Sequence, residues 1–279
     1  MCQFSYLLSL FHQITCHFIM ELETYHYVIA IVGGIFAGIL NTLAGNGSAI
    51  TLTILTELLQ LPGNLANGTN RVGILAQSFM GVWTFHKNGK LKLNRGSTYI
   101  IPTIIGAIAG VVVATMVSSD QFKSVFRFLM VFMLIVILVK PSRWLIKTDT
   151  SNKVNLWITI PVFLALGFYG GFIQMGMGVF FLAAMVLGAK FSLIDANIIK
   201  VFVVGAYTIL VVAIFQWNGL IDWKIGLILA VGQAIGAWVA ASFASQYPKA
   251  DFWAYILLVV VVVLAIIKMF NLHLWVMGS

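Results

Sequence analysis

The sequence predicts an all-α fold, a polytopic bundle of transmembrane helices. Of its 279 residues, 61% are hydrophobic and only 9% are charged, and the mean hydropathy is +1.02. Soluble domains contain about 45–50% apolar and about 25% charged residues, so lipid must solvate much of this protein's surface. The apolar stretches have the length of helices and lack the short alternating segments of an outer-membrane barrel.

The positive charge does not indicate a nucleic-acid-binding protein. The net charge is +8, and the basic residues gather in short loops between apolar stretches. This arrangement is typical of cytoplasmic membrane loops rather than of a surface that binds phosphates. Cys2 and Cys16 lack the spacing of metal ligands and are not expected to form a disulfide. We expect no cofactor.

The chain is expected to contain two membrane repeats joined by a basic linker. Residues 1–19 lack the features of a signal peptide, and Met20 leads directly into the first apolar stretch, so we predict that Met20 is the initiator. The expected units are an N-terminal extension (1–25), a first repeat (26–140), a cytoplasmic linker (141–154), a second repeat (155–271) and a tail (272–279).

Two of the apolar segments are too long for one simple crossing. The segments are 26–61, 63–86, 97–118, 122–140, 155–188, 193–217, 223–245 and 252–271. As straight helices, 26–61 and 155–188 would be about 50 Å long, whereas the hydrocarbon core is about 30 Å thick. Each is therefore predicted to be two short helices joined by a break, in a hairpin or re-entrant pair.

Glycine clusters mark the predicted breaks, at 45–48 (Gly-Asn-Gly-Ser) and at 176–178 (Gly-Met-Gly). Each cluster follows a pair of glycines spaced by four residues, which lets helix backbones approach closely in lipid. These pairs are Gly34/Gly38 and Gly167/Gly171. Helix packing alone is the alternative explanation for all of these glycines.

The two halves of the chain align with each other, which indicates an internal duplication. At a constant shift, Asn67 aligns with Asn197, Phe85 with Phe215, Asn88-Gly89 with Asn218-Gly219 and Gly96 with Gly226.

Loop charge predicts that the second repeat is inverted. The loops 86–95 and 140–153 are basic and are expected to be cytoplasmic, whereas the charges in 218–224 cancel. If each hairpin returns to its own side, three spanning helices follow in each half, and both termini lie outside. Eight simple spans with parallel halves remain the alternative topology.

Polar side chains recur at membrane depth in both halves. Asn67, Asn70 and Arg71 share one face of the helix that begins after Pro62. Asn197 and Lys200 share a face after the capping sequence that begins at Ser192. A charged group about two turns inside the membrane is costly unless it faces protein or water.

These features predict a binding site for a small anion. A broken helix exposes N–H groups and the positive end of its dipole, and glycine allows a ligand to approach the backbone. The candidate substrate-binding residues are Asn41, Thr42, Gly45, Asn46, Gly47, Ser48, Asn67, Thr69, Asn70, Arg71, Gln174, Gly176, Gly178, Asn197 and Lys200. Two other interpretations stay open: both cations could extend to the membrane interface, and the amides and hydroxyls could join helices.

An intramembrane enzyme is not predicted. The sequence has no His-Glu-x-x-His, no Gly-x-Ser-x-Gly, no paired membrane aspartates and no Walker motif for ATP hydrolysis. A membrane scaffold that transports nothing stays open as the competing class.

The residues 34–48 (GIFAGILNTLAGNGS) and 61–71 (LPGNLANGTNR) resemble the sulfite exporter TauE/SafE family of membrane transporters. Residues 171–178 (GFIQMGMG) resemble the repeated glycine motif of that family. The resemblance extends from about Val28 to Phe270. It implies movement of a sulfur-containing anion, such as sulfite or a sulfonate, across the bacterial inner (plasma) membrane, driven by an ion gradient.

The sequence thus predicts a secondary transporter with an anion site at the membrane midplane, between the repeats. The expected partners are the small anion, the lipid bilayer and, as an open alternative, a second copy in a homodimer; nucleic acid is not expected. A carboxylate is the alternative substrate.

Overall fold

The computed structural model describes residues 24–93, 97–116, 155–247 and 249–269, and every regular element in these ranges is helical. The helices are α1 (Thr24–Leu43), α2 (Ser48–Thr53), α3 (Gly63–Lys87), α4 (Ser97–Ala114), α5 (Leu156–Phe172), α6 (Met177–Ala183), α7 (Leu193–Trp217), α8 (Trp223–Gln246) and α9 (Ala250–Met269). The π-helical turns Ile54–Leu58 and Ala184–Gly188 extend α2 and α6. The prediction of an all-α fold is confirmed.

Three helices in the described ranges are long and apolar enough to cross a membrane: Tyr25–Leu43, Leu193–Trp217 and Trp223–Gln246. The N-terminal extension up to residue 23, the predicted span 122–140, the basic linker and the C-terminal tail lie outside the described residues.

The helices break in both of the overlong segments, but the second break lies earlier than predicted. In the first repeat, α1 ends at Leu43 and α2 begins at Ser48. In the second repeat, residues 173–176 form the break, so Gly178 lies inside α6 and not in the break. The chain turns at Gln174 and Gly176, which adopt φ of 60° and 77°. A left-handed Gln is uncommon, which explains why the glycine pattern misplaced this turn.

The first break forms a hairpin. The side chain of Ile54, in the turn after α2, fills the space beside Gly33 in the middle of α1. Gly47 lies against the backbone carbonyl of Ala37, one and a half turns before the end of α1. The α2 segment therefore folds back along α1 instead of continuing its direction.

Each first helix packs closely along a late helix of the other repeat. In α1 and α8, Gly38 lies against the carbonyl of Gln233, and Gly236 against the carbonyl of Ile35. A Cβ at either glycine would collide with backbone, so only glycine permits this helix separation. One turn before Gly38, Gly34 lies against the carbonyl of Leu229, one turn before Gln233, so the contacts advance together and the two helices are parallel.

The pair of α4 and α5 repeats this packing. Gly167 lies against the carbonyl of Thr103, and Gly106 against the carbonyl of Leu164. At a shift of 129, Ile35 and Gly38 of α1 correspond to Leu164 and Gly167 of α5. At a shift of 130, Gln233 and Gly236 of α8 correspond to Thr103 and Gly106 of α4. These helix contacts therefore follow the shift at which the two halves of the sequence align.

The helices α3 and α7, which the alignment of the two halves of the sequence makes equivalent, lie antiparallel to each other. Gly68 lies beside the ring of Phe215, whereas Gly81 lies beside Val201, so the contacts advance along α3 as they retreat along α7. Asp222 and Ser192 cap the first turns of α8 and α7 through their side chains.

Candidate functional site: two crossed helix breaks

The two broken helix pairs meet at Gly45, in the first break, and at Gly178, in the first turn of α6. Gly45 has a φ of +83°, a conformation that glycine adopts without strain. A Cβ on Gly45 would lie 2.5 Å from the carbonyl carbon of Gly178, and a Cβ on Gly178 would lie 2.5 Å from the Cα of Gly45. Any side chain at either position would therefore push the two breaks apart.

Arg71 caps the end of α5. Its guanidinium is fully buried and donates to the carbonyls of Gly170 at 2.8 Å and Gly171 at 3.0 Å, and to Oε1 of Gln174 at 2.6 Å. Asn67, one turn earlier on α3, donates from Nδ2 to the carbonyl of Phe172 at 3.1 Å. These backbone carbonyls belong to the last turn of α5, where they lack partners within the helix.

Lys200 caps the end of α1 in the same way. Lys200 is 3% exposed, and its Nζ donates to the carbonyls of Asn41 at 2.7 Å and Thr42 at 3.1 Å, and to Oδ1 of Asn197 at 2.6 Å. Asn197 in turn donates from Nδ2 to the carbonyl of Leu43 at 2.8 Å. All three N–H groups of the ammonium have an acceptor.

The two repeats therefore hold each other's broken helices. Arg71, in the first repeat, binds the end of α5, and Lys200, in the second, binds the end of α1. Neither cation extends to the protein surface. Among the side chains whose burial the structure describes, Arg71 and Lys200 are the buried Lys or Arg residues, and no Asp or Glu is buried. These ranges also contain no group of three or more His, Cys, Asp or Glu side chains that could hold a metal ion.

A network of neutral polar side chains surrounds the first break. Oγ1 of Thr51 donates to Oδ1 of Asn70 at 2.6 Å, and Nε2 of Gln233 approaches the same oxygen at 3.4 Å. Nδ2 of Asn41 approaches Oγ of Ser48 at 3.5 Å. The network joins α1, α2, α3 and α8. Sequence reasoning missed Gln233, a buried amide in the middle of apolar α8.

Asn46 lies in the first break with its amide unused. The side chain is fully buried, yet neither Nδ2 nor Oδ1 has a hydrogen-bond partner within the described ranges. The same holds for Oγ1 of Thr42 and for Nδ2 of Asn70. Buried polar groups are rarely left without partners, so these atoms are candidates for hydrogen bonds to a polar ligand.

The buried polar side chain at the second break, that of Gln174, has hydrogen-bond partners. Oε1 of Gln174 accepts from Arg71 and also from the hydroxyl of Tyr207, at 2.7 Å. Gly47 and Gly176 directly precede α2 and α6.

One predicted site residue, Thr69, does not face the breaks. Its hydroxyl accepts from the backbone N–H of Asp222 at 2.9 Å, which fixes the loop between α7 and α8.

The comparisons with known proteins agree with this architecture. The chain is 26% identical over 214 residues to the probable membrane transporter protein ORF9 of Sinorhizobium sp, covering 76% of this chain and 81% of the relative. It is 24% identical over 205 residues to the probable membrane transporter protein YfcA of Escherichia coli strain K12, covering 72% and 74%. A probable membrane transporter protein of Haemophilus influenzae is 25% identical over 205 residues, covering 73% and 79%. No solved structure matches the chain significantly.

The model of the sulfite exporter TauE/SafE family matches residues 30–269, which include both helix breaks and both capping cations. The family resemblance noted in the sequence is thereby confirmed. The chain belongs to the sulfite exporter TauE/SafE family and is a membrane transporter.

Proposed function

We propose that this protein is a secondary transporter that moves a small, sulfur-containing anion across the inner (plasma) membrane through the crossed breaks. The observation that carries the proposal is the pair of buried cations, Arg71 and Lys200, with no buried carboxylate among the side chains whose burial the structure describes. Two uncompensated positive charges in a low-dielectric interior favour the entry of a negative charge.

The cations act on the anion mainly through their field, because the three N–H groups of Lys200 and the Nη1 and Nη2 groups of Arg71 already donate to protein oxygens. Nε of Arg71 has no hydrogen-bond partner within the described ranges and would donate to the anion directly. Arg71 and Lys200 offset the negative ends of α5 and α1, which would otherwise repel an anion from the breaks. The free amides of Asn46 and Asn70 would then donate directly to its oxygens. The glycines of the breaks would let the anion approach backbone N–H groups.

Alternating access would follow from rocking of one repeat against the other about this site. The antiparallel packing of the equivalent helices α3 and α7 supports an inverted pair of repeats. The reciprocal capping supports it further, since each repeat holds the broken helix of the other. A site at the pseudo-symmetry centre of inverted repeats would lie near the membrane midplane.

Reporter fusions at Asn88 and Asn218 are expected to lie on opposite sides of the membrane. These residues end the antiparallel, equivalent helices α3 and α7. A fusion pair that is active in only one compartment, such as alkaline phosphatase and green fluorescent protein, would measure this in intact cells. The loop 86–95 should be cytoplasmic because it is basic. Reporters on the same side would contradict the inverted arrangement.

Sulfur oxyanions are expected to raise the melting temperature of the purified protein in a concentration-dependent way. A ligand at 100 times its Kd stabilises a native protein by about 2.7 kcal/mol. The ligands to compare are sulfite, thiosulfate, sulfoacetate and taurine, with carboxylates as alternative substrates and sodium chloride at equal ionic strength as control. If only a carboxylate stabilises the protein, the transported anion would be a carboxylate and not a sulfur oxyanion. No stabilisation by any anion would contradict an anion site.

A further inference from the structure

The amide cluster beside the first break, formed by Thr51, Asn70 and Gln233, has chemistry that the fold does not require. All three side chains are at most 1% exposed, and they come from α2, α3 and α8. Their equivalents in the other half, at shifts of 129 or 130, are Phe180, Lys200 and Thr103. Phe180 is apolar, Lys200 caps α1, and the hydroxyl of Thr103 bonds the carbonyl of Tyr99 in its own helix.

The repeated scaffold is thus built once with the amide cluster and once without it. The helix packing, the breaks and the capping cations are present in both halves. A purely structural role would be expected to recur with the scaffold, whereas a substrate that passes between the halves needs only one set of contacts. The asymmetry therefore points to recognition rather than to folding.

Two glycines allow other helices to approach Gln233 closely, one at its side-chain amide and one at its backbone. A Cβ on Gly73 of α3 would lie 2.5 Å from Nε2 and 2.8 Å from Cδ of Gln233. Gly38 of α1 lies against the backbone of the same residue. The side chain consequently packs against α3, beside Gly73 and Asn70, while the backbone of the same residue packs against α1.

The amide cluster leaves one donor group and one acceptor open. Oδ1 of Asn70 is shared by Thr51 and Gln233, so Nδ2 of Asn70 and Oε1 of Gln233 have no partner within the described ranges. Exchanging nitrogen and oxygen in both amides keeps the cluster bonded, because Thr51 then donates to the carbonyl of Ser48. That exchange leaves Oδ1 of Asn70 and Nε2 of Gln233 open, again one acceptor and one donor group.

We propose that Gln233, together with Asn70, contacts the transported anion and selects an anion that carries its own hydrogen-bond donor. Such an anion is a singly protonated oxyanion or a sulfonate with a hydroxyl group. This inference rests on the proposed function. An anion that only accepts hydrogen bonds satisfies the open donor but leaves the buried acceptor unpaired, which lowers its affinity. An anion that also donates satisfies both groups of the amide cluster.

The test compares two sulfonates of equal charge in proteoliposomes. One is 2-hydroxyethanesulfonate, which has a donor, and the other is ethanesulfonate, which has none. We expect the wild-type protein to favour the hydroxylated anion by about tenfold or more in initial uptake rate. Gln233→Met keeps the length of the side chain but removes its hydrogen bonds, so the ratio should fall to about one. Gln216→Met, on the exposed end of α7, is the matched control and should keep the wild-type ratio.

Equal uptake of both sulfonates by the wild type, or an unchanged ratio in Gln233→Met, would overturn this inference and leave the proposed function intact. Uptake of neither sulfonate nor sulfite by the wild type would defeat the proposed function itself. Should Gln233→Met fail to fold, Gln233→Glu serves as the second variant. Its carboxylate would oppose an anion, so undiminished uptake by that variant at alkaline pH would also overturn the inference.

Discussion

Replacing Arg71 with methionine is expected to abolish transport and to lower the free energy of unfolding by about 3 kcal/mol. The guanidinium is fully buried and donates to two backbone carbonyls of α5 and to Gln174. Without it, these acceptors have no donor, and the negative end of α5 is left at the helix break. Uptake of sulfite in proteoliposomes and thermal unfolding in detergent would measure the two effects.

Two further variants show whether Arg71→Met acts through the lost hydrogen bonds or merely through the lost positive charge. Arg71→Lys keeps the charge but cannot span the same acceptors, so both measurements should lie between wild type and Arg71→Met. Lys87→Met removes an exposed cation that lies over Trp83 at the other end of the same helix, and should change neither. Wild-type stability in Arg71→Met would show that the capping contacts do not hold α5.

Replacing Asn46 with alanine is expected to reduce anion uptake by about tenfold or more while leaving thermal stability unchanged. The reason is that Asn46 is buried in the first break but makes no hydrogen bond within the described ranges. Its removal deletes no contact that holds the fold. The loss should therefore appear only when an anion occupies the site.

The positions of the broken helices could largely be predicted from the sequence, because the length of the two apolar segments and the alignment of the two halves both indicate them. A segment too long for the bilayer and rich in glycine has few arrangements in lipid. The second break was misplaced by three residues because the chain turns at Gln174, and side-chain type alone gives little indication of a left-handed Gln.

The partners of the polar side chains could not be predicted in the same way. The sequence places Arg71 and Lys200 at membrane depth, but the backbone carbonyls that they bind lie 99 to 159 residues away along the chain. A helical pattern identifies a shared face and not the element opposite it. Thr69 shows the same limit, since its hydroxyl binds the loop before α8. Gln233 was missed because its apolar helix gave no motif to single it out.

The most direct test is sulfite uptake by proteoliposomes that contain equal amounts of folded wild-type or Asn46→Ala protein. The crossed breaks, as a substrate site, predict that the variant melts at the wild-type temperature and takes up sulfite at about a tenth of the wild-type rate or less. Wild-type uptake by the variant, with the same melting temperature, would show that the anion does not pass through the first break.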